Sequence, residues 1–138
     1  MKNNEYPNWL VPLYIAKELK EIGFDEPCNH YVRISNDDIK LKINHSSIGW
    51  VILKRNSEYL NDDIASFVTI PTWTDVLAWF RKKNLVGLVS YRYRDKNNKG
   101  FSFEILDEDA DVFLYKTYEQ AQEALVYRLI EIYKSEQE

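Results

Sequence analysis

Ile70-Pro71-Thr72-Trp73-Thr74-Asp75-Val76-Leu77-Ala78-Trp79-Phe80-Arg81-Lys82-Lys83 joins a helix start to the densest run of large apolar side chains in the chain. Thr72 is placed to accept a hydrogen bond from the Asp75 amide while the Asp75 carboxylate reaches back, a capping box with Asp in place of Glu. Trp73, Val76, Leu77 and Phe80 then recur at the spacing of one helix face. The stretch predicts a core helix, and its stripe serves folding and not chemistry. Trp79 is left on the flank, next to Arg81 and Lys83. An exposed Trp beside cations has the composition of an interface hot spot. Trp79, Arg81 and Lys83 are therefore the protein-interface candidates, set against the plainer reading that Trp79 packs under residues 44–69.

N-terminal to this helix, residues 1–8 read as a loose arm. Pro12 suits a first helical turn, and Pro12, Ile15, Ala16, Leu19 and Ile22 share a face with Lys17, Lys20 and Glu21 off it. Gly23 supplies a left-handed stop and Phe24 is placed to fold back, as in a Schellman ending. The first helix is expected over 12–22. His30–Ser35 and Ile39-Lys40-Leu41-Lys42-Ile43 read as a hairpin around Asn36-Asp37-Asp38, with the three aliphatics of the second strand inward and its lysines outward. Residues 44–69 form a long connection in which Trp50-Val51-Ile52-Leu53 suits a buried strand. Ile64–Ile70 suits another extended piece, and the polar stretch Asn56–Asp63 between them reads as loop.

C-terminal to the helix, Leu85–Arg94 and Phe101–Ile105 predict a hairpin across the turn Asp95–Gly100. Matching the apolar faces sets Tyr93 opposite Phe103, Tyr91 opposite Ile105 and Arg92 opposite Glu104. Val112–Tyr115 reads as a short extended segment. Thr117 caps a last helix through Gln120 and runs it from Tyr118 to about Lys134, with Tyr118, Ala121, Leu125, Leu129 and Ile132 inward and residues 135–138 frayed. This order predicts a single α+β domain over 1–138, an antiparallel sheet of four to five strands with three helices packed mainly on one face.

The composition fits that class. The chain is 45% hydrophobic and 14% aromatic, far from a disordered composition, and has only four Gly and four Pro. A net charge of −4 favours solubility and runs against a non-specific DNA binder, which is expected to be strongly basic. Cys28 is the only cysteine, which excludes an intramolecular disulfide framework and suits a reducing compartment. No run approaches a membrane span, and Met1–Tyr6 lacks the apolar core of a signal peptide, so a soluble cytoplasmic protein is expected.

Candidate chemistry is sparse. Asp107, Asp109 and Asp111 begin like a calcium loop, but Val112 and Tyr118 stand where Gly and Glu are required. Cys28 and His30, with His45 farther along, lack the second ligand pair of a zinc site and read as structural. No glycine-rich phosphate loop, nucleophile elbow or His-Glu-x-x-His helix is present. Neither a metal nor a cofactor is expected. Tyr91-Arg92-Tyr93-Arg94-Asp95-Lys96 is the best nucleic-acid candidate, through Arg92, Arg94, Lys96 and Lys99, since aromatics interleaved with cations can stack bases and hold phosphates. Strand alternation opposes it, because tyrosines and arginines then point to opposite faces and the tyrosines have a core role to fill.

Leu19-Lys20-Glu21-Ile22-Gly23-Phe24-Asp25-Glu26-Pro27-Cys28, then Pro71-Thr72-Trp73 through Trp79–Lys83, then Tyr115–Ala121 together resemble a set of small uncharacterised proteins of Bacteroidetes genomes and their prophages, with no known activity. The resembling stretches cover about a third of the chain and are all helix termini and core. They imply a gut-bacterial or phage origin and a soluble intracellular protein, and they carry over no functional residue. The function expected from all of this is a non-enzymatic, protein-binding accessory protein. A nucleic-acid-binding module built on residues 91–100 is the alternative, and no membrane partner is expected.

Overall fold

The computed structural model describes residues 6–36, 38–46, 48–59, 65–109 and 112–137. Residues 1–5 of the expected arm, Asp37 of the first turn, residues 60–64 of the long connection, Asp111 of the aspartate run and the terminal Glu138 lie outside them. Contacts divide the chain into two compact units, Met1–Trp73 and Thr74–Glu138.

In the first unit, α1 (Leu13–Glu21) buries Ile15, Ala16 and Leu19. Its end is the expected Schellman motif. The Phe24 amide donates to the Leu19 carbonyl and the Gly23 amide to Lys20, with Gly23 at φ +97° and Phe24 buried. The strands β1 (His30–Ser35), β2 (Asp38–Ile43) and β3 (Ala65–Ile70) form an antiparallel sheet in the order β2-β1-β3. The expected first hairpin is present, with Val32 between Leu41 on one side and Val68 on the other. Helix α1 packs on β3, where Val68 and Ile70 are buried, and Lys20 caps the Phe67 carbonyl at 2.8 Å. The outer strand β2 is not covered in this way. Ile39 and Ile43, expected inward, are exposed.

The second unit contains the rest of α2 (Trp73–Lys82), the hairpin β4 (Gly87–Asp95) and β5 (Asn98–Ile105), and α3 (Tyr118–Gln137). Helix α2 ends as α1 does, with Leu85 donating to Phe80 and Asn84 to Arg81. Here Asn84 adopts the left-handed conformation at φ 64°. Helix α3 packs on both strands of the hairpin and buries Ala121, Leu125, Val126, Leu129 and Ile130. Its capping box is as expected: the Gln120 amide donates to Thr117 Oγ1 and the Thr117 amide to Gln120 Oε1. Tyr118, expected inward, is exposed.

Two expectations are corrected. Among the described residues the strands do not form one sheet of four to five but a three-stranded and a two-stranded antiparallel sheet. The pairs β1–β2 and β4–β5 join sequence neighbours across short turns, and β3 adds to β1, which is thereby paired on both edges. Likewise β5 pairs with β4 on one edge and with Tyr115 on the other. The β4–β5 register also differs from the expected one by four residues, with parity kept: Tyr91 faces Phe101, Arg92 faces Gly100 and Tyr93 faces Lys99. The turn is tighter than the sequence pattern implies because the Asp95 carboxylate accepts from the Asn97 and Asn98 amides, closing the loop after two residues.

Candidate functional site

Trp79 is buried, at 5% exposure, and so is not the exposed anchor its sequence position suggests. Its ring meets Phe80 edge-on at 5.0 Å and Tyr133 of α3 at 5.4 Å, and Lys83 Nζ lies 5.2 Å from its centroid. Leu77, assigned to the core stripe, is only half-buried. The buried face of α2 is thus Trp73, Val76, Trp79 and Phe80, rotated toward Trp79 because Tyr133 approaches on that side. Arg81 and Lys83 remain exposed, Lys83 with its charge over the buried indole. Trp79 thus packs inside its unit, while Arg81 and Lys83 lie at the surface.

Exposed apolar side chains occur instead in two places that the sequence reading treated as core. The first is the return after β2. Ser46 and Trp50 form a turn, with the Ser46 amide donating to the Trp50 carbonyl at 2.7 Å and His45 bridged to Val51. This turn carries Ile48 at 77% exposure and Trp50 at 71%, with Val51, Leu53 and, on β2, Ile39 and Ile43 also exposed. The expected buried strand at Trp50–Leu53 is therefore corrected to an exposed loop, anchored where Lys54 pairs with Cys28. Gly49, at φ +88°, was the readable sign of a turn just before Trp50.

The second place is the free end of the β4–β5 hairpin. Tyr91 and Tyr93 are 55% and 61% exposed, so the core role expected for them is not realised. Arg92, Arg94, Lys96 and Lys99 are all exposed too, and none makes an ion pair with a described residue. The structure thus brings the four nucleic-acid candidates together at one end. Alongside, Val112, Phe113 and Leu114 are exposed where the chain approaches β5. Arg92, Tyr93, Arg94, Asn98, Val112 and Leu114 line an open recess of about 490 Å³. The carboxylates Glu104, Glu108 and Asp109 gather toward the other end of β5, where Arg128 bridges Glu108 at 3.4 Å and Glu131 at 3.1 Å.

A smaller aromatic cluster lies on the first sheet. Tyr31, Tyr59 and Phe67 pack together, with Tyr59 and Phe67 stacked at 5.5 Å, and the Tyr59 hydroxyl donates to Asn44 Oδ1 at 2.6 Å. Burial pushes that hydroxyl up to about 12. Cys28 is buried with its thiol on the Glu26 carbonyl, while the His30 ring stands edge-on to Trp9, its pKa lowered by burial. Among the described residues no group of three or more His, Cys, Asp and Glu side chains could hold a metal ion, and no helix is long and apolar enough to cross a membrane. Set beside known proteins, the chain matches no family model, no curated protein and no solved structure.

Proposed function

We propose that the chain is a non-enzymatic protein-binding accessory protein of a phage or mobile element, with its contact surface on the 46–53 return and the exposed aliphatics of the edge strand β2. The single observation behind this is the exposure of Ile48, Trp50, Val51 and Leu53 within one short, hydrogen-bonded loop, next to Ile39 and Ile43. Large exposed apolar patches on small domains mark interaction sites, and Trp is the side chain most enriched at their energetic centres. His45 and Lys54 flank the apolar positions of the return, so the complementary surface is a protein with an apolar recess and an acidic rim. The mobile-element origin rests on the three stretches quoted above and on no site residue.

Cross-linking in the native host cell tests this. A photo-reactive amino acid in place of Trp50 is expected to capture one protein that the same group at exposed Lys17 does not. The adduct should be lost when Ile48→Ser and Val51→Ser are added, with the far-ultraviolet circular dichroism unchanged. No adduct at position 50, or the same adducts at both positions, refutes the assignment.

A further inference from the structure

We infer that the free end of the β4–β5 hairpin is a single-stranded nucleic-acid platform, in which Tyr91 and Tyr93 stack bases and Arg92, Arg94 and Lys99 hold the backbone phosphates. This site shares no residue with the 46–53 surface, and the inference does not rest on that reading. Strand alternation sets tyrosines and arginines on opposite faces, but among the described residues this sheet has only two strands. Tyr115 pairs with β5 at Phe101, whereas β4 pairs with β5 alone among the described residues. An extended strand of nucleic acid lying along the open edge of β4 therefore reaches side chains on both faces of a ribbon about 5 Å wide between strands.

The remaining geometry suits that ligand. Tyr91 is braced edge-on by Phe101 at 5.2 Å, which fixes one tyrosine ring while leaving it more than half exposed. The tip is held stiff by the Asp95 carboxylate, which accepts from the Asn97 and Asn98 amides and from Asn98 Nδ2. Tyr93, Arg92 and Arg94 share a recess with Val112 and Leu114, and neither guanidinium makes an ion pair with a described residue, an environment for a flat base with an adjoining phosphate. Charge is graded along the hairpin. Arg94, Lys96 and Lys99 stand with the single carboxylate Asp95 at the tip, Arg92 also lines a recess with Glu104, Glu108 and Asp109, and those carboxylates lie toward the base. The net charge of −4 describes the whole chain and does not prevent residues 92–99 from carrying four cations and one carboxylate.

Fluorescence anisotropy on the full chain with labelled 12-mer oligothymidylate and the matching duplex, across a salt series, tests the inference. Single strands are expected to bind more tightly than duplex. Tyr91→Ala with Tyr93→Ala should weaken single-strand binding by about tenfold or more at every salt concentration. Arg92→Ala with Arg94→Ala should weaken it and reduce the salt slope by about 1.4, from two contacts at roughly 0.7 each. Lys17→Ala serves as the control and should change nothing. All four residues are exposed, so unchanged thermal unfolding is expected in both double variants. Absence of binding at low salt, equal affinity for duplex, or binding indifferent to loss of the tyrosines would each overturn the inference.

Discussion

Asn56 shows how much one side chain contributes in the first unit. It sits in a short 3-10 turn, Asn56–Glu58, and is buried. Its Nδ2 donates to the Phe24 carbonyl at 2.9 Å, and its Oδ1 accepts from the Thr69 amide at 2.9 Å. One residue thereby ties the end of α1, the long connection and β3 together. Replacing it with Ala orphans a buried carbonyl and a buried amide, so Asn56→Ala should lower the free energy of unfolding by about 2–4 kcal/mol. Urea titration measures this, and an effect within experimental error would show that water takes over both bonds. Asn44 works the same way on a smaller scale, accepting from Tyr59 and donating to the Cys28 carbonyl. Neither asparagine was legible in the sequence, where both read as loop. The reason is physical: an asparagine in a polar run looks the same whether its amide meets water or two distant backbone groups, and only tertiary proximity decides. Trp79 failed to be legible for a related reason. Helical spacing places it between faces, and the approach of Tyr133, more than fifty positions along, settles which face is inside.

Elements whose signals are local were read well. The end of α1 at Gly23-Phe24, the start of α3 at Thr117, and the span of β1 depend on residues within a few positions of each other, and the structure has each in place. The register of β4 against β5 did not follow, because the period-2 pattern fixes parity alone and offsets of the same parity look alike to it. The hydrogen bonds of Asp95 choose among them. Gly100 then becomes a requirement of the register. Its φ is +155°, and a Cβ there would stand 2.7 Å from the Tyr115 carbonyl oxygen, the group that accepts from the Phe101 amide. Gly100→Ala should cost about 1–3 kcal/mol and speed hydrogen exchange at the Phe101 and Tyr115 amides. Gly23→Ala, strained at φ +97° but with open space around it, should cost about 1 kcal/mol without affecting those amides. Equal exchange in the two variants would mean that the Phe101–Tyr115 pairing contributes nothing to the hairpin.

At the scale of the molecule, the sequence conveyed the class and missed the partition. Strand and helix content point to α+β, yet nothing in a list of strands says which will share a sheet. Pairing between sequence neighbours, β1 with β2 and β4 with β5, and the addition of β3 to β1 give two sheets from the five described strands. The same limit hid the candidate surfaces: an apolar run such as Trp50–Leu53 reads as buried unless something shows that no element covers it. The four tryptophans make this measurable. Trp73 and Trp79 are buried, whereas Trp9 and Trp50 are exposed. Iodide should therefore quench only part of the intrinsic fluorescence, and Trp50→Phe should remove much of that accessible, red-shifted part. Emission unchanged by Trp50→Phe would place that indole out of water and remove the basis for a contact surface there. Cys28 offers a different handle. It is the only thiol, it is buried, and its backbone is bridged to Lys54 at the root of the exposed loop. A thiol reagent has no access until that bridge parts, so the speed at which the intact chain takes up label is a clock for the opening of the first unit. A partner that seats on the loop would be heard as that clock slowing.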